Sequence, residues 1–191
     1  MTASKFVWPL LALAVFLASC VMPTNYVAVL TVDRDTCRME YTGQFQVDEA
    51  LGGRVSESEA KAATLDAMKQ LEGEVLQAGG SVTTSFVRNG FFDAVITLQE
   101  TLGEAPKTLL YLVTVERDAK DRVTVRSFDA SDEDRKDFVR QGLEGKGELR
   151  VMTKGTVLES NAQEKPGIVS RHYGWKLDLM QTGPAAMVIQ F

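Results

Sequence analysis

Apolar and polar residues alternate without a break from Cys37 to Val47. Cys37, Met39, Tyr41, Gly43, Phe45 and Val47 fall on one side, and Arg38, Glu40, Thr42, Gln44 and Gln46 on the other. A period of two with one apolar face is the pattern of a half-buried antiparallel strand. Tyr26 to Val32 reads as the strand before it and Asp33-Arg34-Asp35-Thr36 as the turn between them, so a β-hairpin opens the domain. The period changes after Gly52-Gly53. Ser56-Glu57-Ser58-Glu59 places a serine three residues ahead of a glutamate, the capping box that starts a helix. That helix is expected to run to about Ala78, with Ala60, Ala63, Ala67, Met68, Leu71, Val75 and Ala78 as its buried stripe and Gly79-Gly80 as its stop.

Two further hairpins follow. Ser81 to Arg88 and Phe91 to Leu102 flank Asn89-Gly90, the preferred pair for a type I′ turn. Thr108 to Arg117 and Arg122 to Phe128 flank Asp118-Ala119-Lys120-Asp121. A shorter helix is expected from Ser131 to about Leu143, its acidic first turn matching the positive end of the helix dipole. Gly142, Gly145 and Gly147 lead from it into a strand at Glu148 to Thr153, continued after Gly155 by Thr156 to Ser160. Gly174 to Leu179 and Ala186 to Phe191 close the pattern as strands. The order β-β-α-β-β-β-β-α-β-β-β has no strand-helix-strand alternation. It predicts an α+β fold in which an antiparallel β-sheet built from hairpins carries two helices packed on it.

The N-terminus has a different character. Lys5 is followed by the apolar run Phe6 to Leu17, then Ala18, Ser19 and Cys20. Charged, hydrophobic and small-residue regions in that order are the layout of a secretory signal peptide. Leu17-Ala18-Ser19-Cys20 resembles the lipobox of bacterial lipoproteins. That resemblance implies a diacylglyceryl group on Cys20, cleavage just before it and acylation of the new amine. A signal peptide cut elsewhere and a retained anchor stay open as alternatives. The run is short for a span, which takes about 20 apolar residues, and Pro9 interrupts it. The expected organisation is residues 1–19 as signal peptide, 20–25 as lipidated cysteine and short tether, and 26–191 as one α+β domain. Val21 after the cysteine points to the outer membrane, periplasmic face, if the cell is Gram-negative.

Composition narrows the partners. The chain has 21 basic and 26 acidic residues in 191. Removing residues 1–19 takes away only Lys5, so the remainder carries a formal charge of about −6. That charge argues against nucleic acid as a partner and against a polybasic clamp on anionic lipid. With Cys20 committed to lipid, Cys37 is the one cysteine left, and no intramolecular disulfide is expected.

Candidate chemistry is sparse. His172 is the single histidine, and no Gly-x-Ser-x-Gly elbow accompanies it, so it reads as a surface or edge histidine. Asp129, Ser131, Glu133 and Asp137 suggest a calcium loop at positions 1, 3, 5 and 9. Asp134 stands where glycine is needed and Arg140 where the bidentate glutamate is needed, so a solvated acidic helix start explains them. No Cys or His cluster has zinc-ligand spacing and no glycine loop cradles a phosphate. The expectation is therefore no catalytic set, no metal and no cofactor. Phe86, Phe91, Phe92 and Leu109 to Val113 make the central hairpins apolar on both faces, which fits either a covered sheet or a pocket for an apolar ligand. Met39, Met68, Met152 and Met180 suit such a cavity and an irregular core equally.

Two stretches resemble a family. Leu30-Thr31-Val32-Asp33-Arg34-Asp35 with Met39-Glu40-Tyr41-Thr42-Gly43 is similar to the opening hairpin of bacterial LppM-like lipoproteins. Gly147 to Gly155, Ser160-Asn161-Ala162 and Tyr173-Gly174-Trp175-Lys176-Leu177 are similar to that family's closing segment. Asp35-Thr36 replaces the family's usual turn glycine, and no family binding residue maps onto this chain. The resemblance implies an envelope lipoprotein with an α/β domain around an apolar cavity and a role in binding lipids or glycolipids. The sequence thus leads to a non-enzymatic domain held on the membrane through Cys20, binding an apolar or lipid-like ligand. The alternative is a module docking on an envelope protein.

Overall fold

The computed structural model describes residues 21–47, 55–168, 170–178 and 183–191. In chain order its elements are β1 (Val21–Val32), β2 (Thr36–Val47), α1 (Glu57–Gln77), β3 (Ser81–Arg88), β4 (Phe91–Thr101), β5 (Lys107–Leu109), β6 (Val113–Arg117) and β7 (Arg122–Ser127). Then come α2 (Asp132–Gln141), β8 (Lys146–Thr153), β9 (Thr156–Ser160), β10 (Tyr173–Asp178) and β11 (Ala186–Gln190). The fold is α+β, as the pattern predicts, but the strands form two sheets. One has six strands in the order β10-β8-β1-β2-β4-β3, the other five in the order β5-β6-β7-β11-β9.

The expectation of a purely antiparallel sheet is corrected by β1 and β8, which run parallel from Tyr26 opposite Gly147 to Val32 opposite Thr153. Near the start of this pair, Phe138 of α2 packs on Met22 and Leu143, which places the chain leaving the helix beside the start of β1. The same helix corrects a second expectation. It is capped by Ser131 and Asp134, yet none of its residues is buried, so it touches the sheet's end through Phe138 instead of covering a face.

Two expected strands are each divided. Leu110 and Tyr111 take positive φ values of 49° and 54°, and Leu112 N–H donates to the Leu109 carbonyl at 3.0 Å. The run Thr108 to Arg117 therefore doubles back as β5 and β6. Glu148 to Ser160 splits because β8 pairs with β1 and β10 in the first sheet, whereas β9 pairs with β11 in the second. The Asn89-Gly90 hairpin forms, but its turn is not type I′. Only Gly90 has positive φ, at 79°, and a register slip between Phe86 and Arg88 absorbs the mismatch. The first strand begins at Val21, with Met22, Pro23 and Thr24 buried. Gly52-Gly53, Leu179 and Met180 lie outside the described residues.

One core draws on both sheets. Leu30, Met39, Tyr41, Phe92, Ile96 and Leu149 come from the first, and Val115, Val123, Met187 and Ile189 from the second. Tyr26, Tyr41, Phe45 and Phe92 form a row of rings with successive centroids 5.7, 5.1 and 5.3 Å apart. Helix α1 buries Ala60, Thr64, Ala67, Leu71 and Val75, while Ala78 is exposed. Thr64 fastens this helix to the β3–β4 turn, since its hydroxyl donates to the Ala60 carbonyl and accepts from Gly90 N–H at 2.8 Å.

Candidate functional site

The residues singled out in the sequence do not gather. Residues 1–19 and Cys20 lie outside the described residues. Cys37 is buried, and its thiol is pushed up to about 11, first by burial and then by the charge of Glu100. A buried thiol that keeps its proton is a poor nucleophile. The acidic helix start is consumed locally. Arg135 binds Asp129 at 2.6 Å and Asp132 at 3.0 Å, Arg140 pairs with Asp137, and Asp134 closes the capping box with Ser131.

The apolar set of the central hairpins divides in the same way. Phe91, Phe92, Leu109, Leu112 and Val113 are buried in the core, and only Phe86 is exposed. Met39 is fully buried while Met152 is exposed, so these two line no common space.

His172 has the most unusual surroundings. It stands one residue before β10, where the chain has just crossed from the second sheet to the first. Its Nδ1 lies 3.2 Å from Ser170 Oγ. The same hydroxyl lies 3.3 Å from the His172 carbonyl and 3.4 Å from its backbone N–H. In the tautomer that keeps the ring proton on Nδ1, Ser170 Oγ accepts it and Nε2 carries a free lone pair. This atom is shielded from solvent and has no hydrogen-bond partner.

Two carboxylates face it. Glu164 Oε2 lies 3.9 Å from Nε2. Glu148, on β8, completes a group of three whose donor atoms all fall within 4.8 Å of one another. Backbone pairing sets the arrangement. Glu164 forms an isolated bridge to Gly174, accepting from its N–H at 3.0 Å and donating to its carbonyl at 3.1 Å. Glu148 sits opposite Lys176 in the β8–β10 ladder. Arg150 donates to both Glu148 oxygens, at 2.7 and 2.9 Å, and holds that carboxyl below its usual range, so it is ionised at neutral pH. Gly174 leaves the space open. A Cβ there would lie 3.3 Å from both Cβ and Oε2 of Glu164.

The segment that carries these groups also walls a cleft of about 310 Å³, bordered by Thr153, Val157, Pro166, Ser170, Arg171 and Tyr173. The lining is mixed, with an arginine at its edge, unlike the apolar pocket expected from composition. Sequence reasoning passed over Glu148 and Glu164, because no local spacing links them to His172. The lone histidine next to a strand-edge glycine was the only available sign.

Among the described residues no helix is long and apolar enough to cross a membrane. No protein-family profile matches the chain, and no curated protein matches it in sequence. Among solved structures, the folded domain of LppM from Mycobacterium tuberculosis, determined by NMR, is similar to it. The two share 13% identity with a TM-score of 0.45, over 89% of this chain and 92% of that one. No residue role is taken from that likeness.

Proposed function

We propose that this chain is a bacterial envelope lipoprotein, fixed to a membrane by acyl chains on Cys20, whose domain acts without catalysis by docking on a protein partner of the envelope. The observation that carries the reading is Leu17-Ala18-Ser19-Cys20 standing directly before β1, which begins at Val21. A lipid on Cys20 would hang one residue ahead of a strand that is paired on both sides further along. Each buried methylene adds about 0.8 kcal/mol, so two or three acyl chains hold firmly where one would exchange.

Packing supports a protein partner over an internal lipid ligand. Most of the described side chains that would have lined an apolar pocket pack into the core, and the cleft beside β9 and β10 is small and partly polar. The test compares the full chain with Cys20→Ser in a producing bacterium. The wild type is expected in the membrane fraction after a high-salt wash, incorporating labelled palmitate, and the variant in the soluble fraction without label. A Cys20→Ser protein that stays on the membrane contradicts the anchor. Crosslinking in the intact envelope then separates the two occupants: a single stoichiometric protein supports docking, and co-purified lipid supports the ligand reading.

A further inference from the structure

We propose that His172, Glu164 and Glu148 form a binding site for a divalent first-row transition metal, Zn²⁺ foremost, that clasps the segment between β9 and β10 onto the edge of the six-stranded sheet. The donor set is one imidazole nitrogen and two carboxylates. Imidazole favours zinc and its neighbours over calcium or magnesium, which take oxygen donors. Bonds from zinc to nitrogen or carboxylate oxygen are about 2.0–2.2 Å. Donors within 4.8 Å of one another therefore close on an ion with shifts under about 1 Å in each side chain. Glu164 is more than half exposed and has room to make its share of that movement.

Three features of the surroundings fit a ligand. The first is Nε2 of His172, which is shielded from solvent, has no hydrogen-bond partner and is grouped with two carboxylates. An ion there would give the nitrogen a partner and join it to both carboxylates. The second is the orientation of the ring. Ser170 Oγ lies 3.2 Å from Nδ1 and can accept its N–H, which leaves Nε2 for the ion and is the outer hydrogen bond that ligating histidines usually make. The third is Gly174. Its missing side chain lets the Glu164 carboxylate lie against β10, where Oε2 would otherwise meet a Cβ at 3.3 Å.

Arg150 is compatible with this role. Its two bonds to Glu148 use one lone pair on each oxygen and leave the others for a metal. Ligating carboxylates are themselves commonly hydrogen-bonded in this way. Three protein donors leave a fourth position open, as in zinc sites that hold water or a substrate group. The clasp would act where the chain passes from β9 in one sheet to β10 in the other, and Ser170 and Arg171 of the same segment border the cleft.

The test uses the untagged full chain in mild detergent, stripped with chelator and titrated with ZnCl₂ by calorimetry. One ion per chain is expected at micromolar affinity or tighter, together with a rise in Tm on adding Zn²⁺ but not Mg²⁺. Glu164→Gln keeps shape and backbone bonds while removing charge, so it serves as the variant least disturbing to folding. It and His172→Gln are each expected to weaken binding at least about tenfold, with unchanged circular dichroism in the absence of metal. No saturable binding of Zn²⁺, or binding that both variants leave intact, overturns the site. Because the domain is tested apart from any membrane partner, failure of this site and failure of the lipoprotein reading are read out separately.

Discussion

Tyr26 illustrates how single residues set this fold. Its side chain crosses two glycines on neighbouring strands. A Cβ on Gly147 would stand 2.4 Å from its ring, and a Cβ on Gly43 would stand 2.4 Å from its own Cβ. Neither neighbour can give way, because the ring is locked into the row with Tyr41 and Phe45. Gly147→Ala is expected to destabilise the protein by about 1–3 kcal/mol through overpacking, read from the midpoint of urea unfolding. Tyr26→Phe is expected to be neutral or slightly stabilising. The hydroxyl is buried without a partner, so removing it forfeits no bond and relieves a desolvated polar group. The alternation along β2 put Gly43 on the apolar face, but the purpose of the gap was not legible. The ring that fills it comes from β1, and the second glycine lies far along the chain on β8.

At the level of elements, legibility followed locality. Both helix starts were readable because their signals lie within four residues, a capping box at Ser56 and an acidic first turn after Ser131, and a capping box forms at both. The β1–β2 and β3–β4 hairpins were readable because alternation and turn residues are adjacent in sequence. The β5–β6 reversal was not. Leu110 and Tyr111 are strand formers in a conformation that glycine or asparagine usually supplies, so no turn signal exists there. The parallel β1–β8 pair was not readable either, since the two strands lie far apart in the chain and no local signal links them.

Asn161 shows how the two sheets are joined. Its side-chain oxygen accepts from the Trp175 indole N–H and from Ala186 N–H, each at 2.8 Å, and its amide donates to the Pro184 carbonyl at 2.9 Å. One residue thus ties β10 to β11. Asn161→Ala leaves the indole of a buried tryptophan without its partner. A loss of about 1–3 kcal/mol is expected in denaturant unfolding, with a changed emission from Trp175. An unchanged midpoint would mean that the joint does not hold the sheets.

The whole molecule has a near and a far end relative to the proposed anchor. Val21 pairs with Val47, whose N–H donates to the Gly90 carbonyl, so the β3–β4 turn shares the end where the lipid would attach. The β1–β2 turn lies at the other end of a twelve-residue strand, about 35 Å away. There Asp121 joins Arg34 and Arg117, and Arg117 also binds Asp35, fastening the β6–β7 turn beside the β1–β2 turn. The two guanidinium groups, Arg117 first and then Arg34, hold the Asp121 carboxyl below the usual aspartate range. Its contribution is therefore present above the ordinary aspartate value of about 3.8 and is lost as pH falls through the lowered folded value.

Fluorophores at Asn89→Cys and at Ala119→Cys would read this orientation in vesicles, because Cys37 is buried and stays unlabelled. Quenching by spin-labelled lipid is expected at position 89 and not at 119. The most direct test of the account is the intact mass of the protein extracted from bacterial membranes. A chain that begins at Cys20 and carries a diacylglyceryl group is the expected result. A chain that retains residues 1–19, or that begins elsewhere with Cys20 unmodified, would contradict it.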